Sequence, residues 1–109
     1  MTDALEKLKQ ESRRGVIVLA VLGVLREEHY GYSLGKSLNN MGINIEEGTL
    51  YPLIRRLEKQ GLLESEWREE DKRRKRFYHL SEEGHTVFRQ LREEWLTLNE
   101  CVKTAIEVK

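Results

Sequence analysis

A run of five basic residues, Lys72–Arg76, is the strongest chemical signal in the sequence. Lysine and arginine side chains in such a run suit contacts to phosphate groups, which position a protein on nucleic acid without reading its sequence. A second basic group, Arg55, Arg56 and Lys59, occupies neighbouring positions of a predicted helix. Arginines on a helix can reach phosphates or the edges of guanine bases. Each group taken alone is also compatible with an ordinary solvated surface.

Charge is unevenly distributed along the 109 residues, although 19 basic and 19 acidic side chains cancel. Residues 48–80 carry nine basic and six acidic side chains, whereas residues 1–47 carry six and seven. Residues 81–109 carry four basic and six acidic side chains. The middle third can therefore attract phosphates while the whole chain stays neutral.

The cysteine and histidine pattern gives no sign of a catalytic or metal site. Cys101 is the one cysteine, and His29, His79 and His85 lack ligand-like spacing with it. No nucleophile–base pair or phosphate-binding loop is visible, so we expect no enzyme activity, no metal and no cofactor. The apolar run at residues 16–25 is too short to span a bilayer, and the first residues lack a secretory pattern. We therefore expect a cytoplasmic protein with no membrane partner.

Hydrophobic periodicity and turn residues predict four helices and one β-hairpin. The predicted order is a helix over Ala4–Glu28, a helix over Tyr32–Asn40, a helix over Glu47–Gln60, strands at Leu62–Trp67 and Arg76–Leu80 with a charged loop over Arg68–Lys75 between them, and a last helix capped by Ser81. Because proline is tolerated only near the start of a helix, Pro52 predicts that the third helix begins late, near Gly48 or Thr49.

This order of elements is that of a winged helix-turn-helix, a mainly α fold with a small β-hairpin wing, whose third helix enters the major groove of DNA. A stripe of Leu50, Leu53, Ile54 and Leu57 should face the core, which leaves the opposite face for DNA. We predict contacts to double-stranded DNA from the start of the second helix, the third helix and the wing: Tyr32, Thr49, Tyr51, Pro52, Arg55, Arg56, Lys59, Lys72, Arg73, Arg74, Lys75 and Arg76.

The last helix carries an apolar seam with the alternating spacing of a coiled coil. Its members, at intervals of three and four, are Phe88, Leu91, Trp95, Leu98, Val102 and Ala105. The seam could pack against the chain's own first helix, or against a second copy and that copy's first helix, and these arrangements are compatible. We predict a homodimer in which residues 1–80 bind DNA, with their first helix contributing to the dimer, and residues 81–109 dimerise. Two reading helices would favour a palindromic operator.

Three stretches together resemble the PadR family of bacterial regulators: Gly48–Glu58, then Gly61-Leu62-Leu63 with Trp67, then Arg76–Gly84. Gly31-Tyr32 fits as well, and the resemblance covers nearly the whole chain. The short C-terminal region is similar to a compact branch with one C-terminal helix, which includes multidrug-sensing repressors with a tryptophan in that helix, as at Trp95. The resemblance implies a dimer that represses nearby genes and releases DNA when a small molecule binds.

A large flat ring fills a tight coiled-coil layer poorly, so Trp95 in the middle of the seam, together with the resemblance, suggests a pocket for a planar aromatic molecule between two copies of Trp95. Its expected walls are Val16, Ala20, Leu98 and Asn99. Asn99 stands where the drug-sensing branch can carry a carboxylate, so a neutral guest is favoured over a cationic one. Glu46 stands where the family often has a serine or aspartate helix cap. Alternatively, Trp95 fills the core, or the protein is a DNA-binding or protein-interaction adaptor with no effector.

Overall fold

The computed structural model of this chain describes residues 2–107. Residue 1 of the predicted DNA-binding segment and residues 108–109 of the predicted dimerisation segment lie outside this range. Within the range the elements are α1 (Thr2–Val24), β1 (His29–Tyr30), α2 (Gly31–Asn40), α3 (Glu47–Lys59), β2 (Leu63–Glu70), β3 (Arg73–Leu80) and α4 (Glu82–Ile106). No helix in this part of the chain is long and apolar enough to cross a membrane.

One apolar core joins the first three helices to the base of the sheet. Each helix buries residues spaced three or four apart, because that spacing repeats on one side of an α-helix. The members that are 3% exposed or less are Val21, Leu22 and Leu25 near the end of α1, Leu34 and Leu38 of α2, Leu50, Ile54 and Leu57 of α3, and Leu63 and Leu80 of the sheet. The predicted third-helix stripe is confirmed, with Leu53 half-buried beside the core.

The sheet contains three antiparallel strands in the order β1-β3-β2. The sequence predicted the pair β2 and β3 but not β1, which has two residues and is too short to display an alternating pattern. Tyr30 of β1 pairs with Phe77, and their rings meet edge to face with centroids 5.4 Å apart. The Ser33 hydroxyl donates to the Tyr30 carbonyl at 3.0 Å, which fixes the turn from β1 into α2.

The wing is longer and more regular than predicted. The expected charged loop over Arg68–Lys75 is wrong, because β2 continues to Glu70 and β3 begins at Arg73. Only Asp71 and Lys72 form the turn, with φ of 53° and 64°, as a tight two-residue hairpin requires. Opposite charges face each other across the strands, Glu70 against Arg73 and Glu69 against Arg74, and such pairs favour extended pairing without an apolar pattern. The expected tip of five basic residues is therefore one turn lysine followed by four residues of a strand.

Helix α3 begins at Glu47, one residue before the late start that Pro52 predicted, and it contains Pro52 in its interior. The missing proline N–H would have bonded to the carbonyl of Gly48, four residues earlier. Gly48 is exposed, so water can satisfy that carbonyl. Glu46 precedes the helix without a side-chain capping hydrogen bond.

Ser81 caps α4 as predicted, since its hydroxyl accepts a hydrogen bond from the Gly84 amide at 3.0 Å. The same hydroxyl donates to the Gly61 carbonyl at 2.6 Å and so joins the helix start to the turn before β2. The first turns of α4 pack on α1 and β3, and Phe88 there is 9% exposed. Every described residue after Leu91 is exposed in the single chain.

We predict that Gly84→Ala strongly destabilises the fold. A Cβ at position 84 would lie 2.0 Å from the Leu62 carbonyl oxygen, and that oxygen already accepts a hydrogen bond from the Ser81 amide. Because two backbone segments would have to separate, we expect a loss of about 3 kcal/mol in the free energy of unfolding. Urea unfolding followed by circular dichroism, at one fixed protein concentration, measures it.

Gly15→Ala is the matched control. Gly15 lies inside α1 with no atom within 4 Å of an added Cβ, so the same change should raise the free energy of unfolding by about 0.8 kcal/mol. Equal changes in the unfolding free energy of the two variants would contradict the close contact between Gly84 and the Leu62 carbonyl.

Candidate nucleic-acid interface

The predicted contact residues of α3 share one exposed face of the helix. Thr49, Pro52, Arg55, Arg56 and Lys59 are all exposed. They lie opposite the buried stripe, in which Leu50, Ile54 and Leu57 are 2% exposed or less, and this burial fixes the rotation of the helix about its axis. Among residues 2–107 the three cations of this face have no carboxylate within 4 Å. Their charges are therefore available to a partner.

Tyr51 of α3 is half-buried on the flank of this face, and its ring lies against the start of α2. A Cβ added to Gly31 would lie 2.7 Å from the Tyr51 ring, so glycine allows the ring to approach the α2 backbone. Burial raises the pKa of the Tyr51 phenol, and the neighbouring Glu47 carboxylate raises it further. The phenol is therefore protonated near neutral pH, and its hydroxyl donates to the Glu47 carboxylate. Tyr32, the next predicted contact, is 59% exposed beside it.

A polar network connects the wing to α3. The Arg76 guanidinium donates to the Glu58 carboxylate at 3.0 Å and to the Ser65 hydroxyl at 2.9 Å. The Ser65 hydroxyl in turn donates to Glu58 at 2.5 Å. Arg76 was predicted to contact phosphate from the wing tip. Its guanidinium is paired with Glu58 of α3, and this pair joins the wing to α3.

Lys75 is also partly engaged within the wing. Its ammonium lies 3.2 Å from the Glu70 carboxylate and 4.3 Å from the centroid of the Tyr30 ring. The hydrogen bond to Glu70 raises the pKa of Lys75. Lys72, Arg73 and Arg74 are exposed, and in the described part of the chain they have no ion pair. These three are the wing cations best placed for phosphate.

A cleft of about 340 Å³ opens between the start of α2, the face of α3 and the base of the wing. Its aromatic lining consists of Tyr30, Tyr32, Tyr51, Trp67 and Tyr78, and its cationic lining of Arg55, Lys75 and Arg76. Sequence reasoning missed this cleft because the lining residues come from five separate elements. The signal that could have found it is an exposed tryptophan in a wing strand, since Trp67 is 52% exposed.

The predicted dimer seam divides into two parts. Phe88 belongs to the chain's own core, where its ring packs on Gly23 and under the Arg26 guanidinium, so it has little surface left for a second copy. Leu91 is half-buried against the same core. The exposed remainder is Trp95, Leu98, Val102 and Ala105.

The expected walls of the aromatic pocket do not meet within one chain. Val16 borders a cleft with Ile43 and Asn44, whereas Ala20 borders a different cleft with Met41. Trp95 is 40% exposed and Asn99 is exposed on α4. Within residues 2–107 no three histidine, cysteine or acidic side chains are grouped to hold a metal ion, and Cys101 is exposed.

Residues 18–90 match the Transcriptional regulator PadR-like family. The chain belongs to this family. It is 44% identical to a PadR family transcriptional regulator from Eggerthella lenta, whose crystal structure superposes with a TM-score of 0.88 over 99% of this chain and 96% of that one. A PadR-like regulator from Bacillus cereus is 26% identical, with a TM-score of 0.80 over 88% and 96% of the two chains. Transcriptional regulator Rv3488 of Mycobacterium tuberculosis is 35% identical over 72% of this chain and 74% of that protein.

Membership of the PadR-like family confirms the predicted resemblance and the mainly α fold with a β wing. It makes this protein a transcriptional regulator, a class that acts by binding DNA. In a winged helix-turn-helix the helix that enters the major groove is the second of the helix-turn-helix pair. In this PadR-like regulator α3 occupies the position of that second helix, after α2 and before the wing.

We predict that Glu58→Gln loosens the wing. Glutamine keeps the size of the side chain but removes the charge that pairs with Arg76. Since the two side chains are 36% and 25% exposed, the expected loss is modest, about 0.5–1 kcal/mol of unfolding free energy. Amide hydrogen exchange should become faster in β2 and β3.

Glu64→Gln is the control, because Glu64 pairs with His79 on the open surface and is 65% exposed. It should change stability by less than about 0.5 kcal/mol and leave wing exchange unaltered. Identical exchange in both variants would mean that Arg76 does not hold the wing.

Proposed function

We propose that this PadR-like regulator is a repressor that binds a palindromic duplex operator as a homodimer and leaves it when a planar aromatic molecule binds. The observation that carries the proposal is the unpaired cationic face of α3, flanked by the exposed cations of the wing. Occupation of an operator by a compact dimer would block other proteins from the same DNA. Repression would therefore need no protein surface other than the one that binds DNA.

We assign recognition of the DNA sequence to α3, and positioning of the protein on the duplex to the wing. Arg55 lies at the centre of the exposed face, where a guanidinium can make two hydrogen bonds to a guanine edge. Thr49 and Pro52 are small and precede it, so the start of the helix can approach the bases closely. Lys72, Arg73 and Arg74 would contact phosphates, which adds affinity without sequence preference.

Dimerisation is assigned to the exposed stripe of α4 together with α1. Leu98 and Val102 are 51% and 50% exposed in the single chain. On α1, Leu5 and Leu8 are 50% and 62% exposed. Large apolar side chains repeated along two long helices are typical of a surface that a partner covers. A second copy supplies the same two stripes and so covers both.

The effector site is assigned to the dimer centre, around Trp95. A tight coiled-coil layer is better filled by leucine or isoleucine than by a large flat ring. Two indoles near a two-fold axis would leave a gap for a planar guest, with Val16, Ala20, Leu98 and Asn99 as walls. Such a guest would release DNA only if it favours a dimer arrangement that binds DNA poorly.

We predict that Arg55→Ala distinguishes recognition of the DNA sequence from general electrostatic attraction to DNA. On a duplex selected from a random pool, the variant should lose about 1–3 kcal/mol of binding free energy and show a weaker preference for that sequence, because a base contact is lost. Replacing Arg73 and Arg74 by alanine should weaken binding to selected and unrelated duplexes alike. It should also reduce the slope of log affinity against log salt concentration by about one unit per lost phosphate contact. Equal losses of Arg55→Ala on both duplexes would contradict the reading role. No binding to any duplex at low salt would favour the adaptor alternative.

Leu98→Glu should break the dimer, because it would bury a charge next to its symmetry mate. The fold of each chain should survive, since Leu98 is exposed there. Leu96→Glu is the matched control, because Leu96 is 40% exposed but lies off the seam. Sedimentation at micromolar concentration should give a dimer for the wild type and Leu96→Glu. A monomeric wild type would contradict the assignment.

Planar aromatic compounds should quench the fluorescence of Trp95 in the wild type. The change should vanish in Trp95→Ala, where Trp67 supplies the remaining signal. Quenching that persists in Trp95→Ala, or a wild type that no compound affects, would remove the dimer-centre pocket from the proposal. DNA release is then measured with the compound that binds.

A further inference from the structure

We propose that the Trp67 indole contacts a sugar–phosphate backbone of the duplex, with its N–H donating to one phosphate. The inference deepens the proposed function and rests on it, because it requires α3 to lie in the major groove. Three observations carry it: the exposure of Trp67, its place beside the DNA-facing side of α3, and the two guanidinium groups against its ring.

Trp67 is a large aromatic side chain that the fold does not bury. It lies in β2 and is 52% exposed, whereas Phe77 and Tyr78 of the neighbouring strand are 7% and 5% exposed. It borders the cleft between the wing and α3 together with Arg55, the residue at the centre of the exposed face of α3. The indole and the Arg55 guanidinium therefore face the same opening.

The dimensions of duplex DNA place a backbone over this opening. An α-helix with its side chains is about 10–12 Å across, and the major groove is about 12 Å wide. A helix in the groove therefore fills it, and an element packed beside that helix must meet the backbone that forms the groove wall. The wing is joined to α3 through Arg76 and Glu58, and Trp67 is the cross-strand partner of Arg76. Trp67 consequently lies at the level of the groove wall.

The chemistry of an indole matches that of the backbone. The indole nitrogen carries one N–H donor and no acceptor, and a phosphate offers acceptor oxygens. The flat apolar body of the ring can cover the C–H groups of a deoxyribose, since tryptophan suits places where one end is apolar and the other is wet. A contact of this kind fixes the position of the protein on the duplex without reading a base.

Two guanidinium groups hold the ring in place. Those of Arg74 and Arg76 lie 5.4 and 5.6 Å from the centroid of the Trp67 ring. Arg76 is itself fixed by hydrogen bonds to Glu58 and Ser65. The indole is thus ordered before DNA arrives, which lowers the entropic cost of the contact. Arg74 is exposed and has no ion pair within residues 2–107, so its charge can attract a phosphate to the indole.

Trp67→Phe tests the N–H, because phenylalanine keeps a flat apolar ring but donates no hydrogen bond. The affinity should fall about tenfold, the loss expected for a hydrogen bond to a charged group. The fall should be the same for a duplex selected from a random pool and for an unrelated duplex of equal length. The matched control is Met41→Ala, which removes a side chain that is 62% exposed and borders a different cleft. Its affinity should stay within about twofold of the wild type.

Neutral methylphosphonates, placed one at a time in the selected duplex, test whether Trp67 contacts a phosphate directly. At one position in each half-site the substitution should cost the wild type about fivefold more affinity than it costs Trp67→Phe, because both changes remove the same hydrogen bond. A Trp67→Phe variant that merely loosened the wing would show the wild-type penalty at every position. That pattern would overturn the contact.

The remaining outcomes separate this contact from the proposed function. If the wild type binds duplex and Trp67→Phe binds it equally well, the contact is wrong and the proposed function stands. A loss of affinity confined to the selected duplex would likewise overturn the backbone contact, because it would indicate a base contact. A wild type that binds no duplex at low salt would overturn the proposed function and the contact together.

Discussion

Burial of one face of α3 is the constraint on which the rest of the arrangement depends. Leu50, Ile54 and Leu57 are each 2% exposed or less, and burying such side chains contributes about 1.5–3 kcal/mol apiece. Rotation of the helix would expose all three at once. The opposite face, with Arg55 at its centre, is therefore presented to the outside, and Glu58 is held within reach of the wing.

The link from Glu58 to Arg76 and Ser65 gives the wing a fixed place relative to that face. It uses a charge from the basic run for internal structure, whereas Lys72, Arg73 and Arg74 of the same run are exposed. The same link closes one side of the aromatic cleft. The placement of the wing beside α3 thus depends on one network.

Sequence patterns predicted the features that depend on local chemistry. The helices, the α3 stripe and the Ser81 cap follow from spacing and residue type, and the exposed face of α3 follows from the stripe. Features that depend on distant partners were missed. β1 forms by pairing His29 and Tyr30 with Tyr78 and Phe77 of the distant β3, and opposite charges pair across the extended wing strands.

The same distinction applies to the candidate site. The pairing of Arg76 with Glu58, 18 positions earlier, was missed because it leaves no mark in the sequence. Phe88 fitted the periodicity of the seam but packs on Gly23 of its own chain. The cleft joins five elements, so only the assembled fold brings Trp67 beside Tyr51 and Arg55.

The central claim is that two copies joined through α4 present two α3 helices as one rigid reading surface. Its most direct test is the affinity for a selected palindromic duplex before and after five base pairs are inserted at its centre. Since half-sites of such dimers lie about one helical turn apart, the insertion turns one half-site to the opposite side of the duplex. The account predicts that specific affinity falls to that of a single half-site. Unchanged affinity would contradict it, because each α3 would then bind independently of the other.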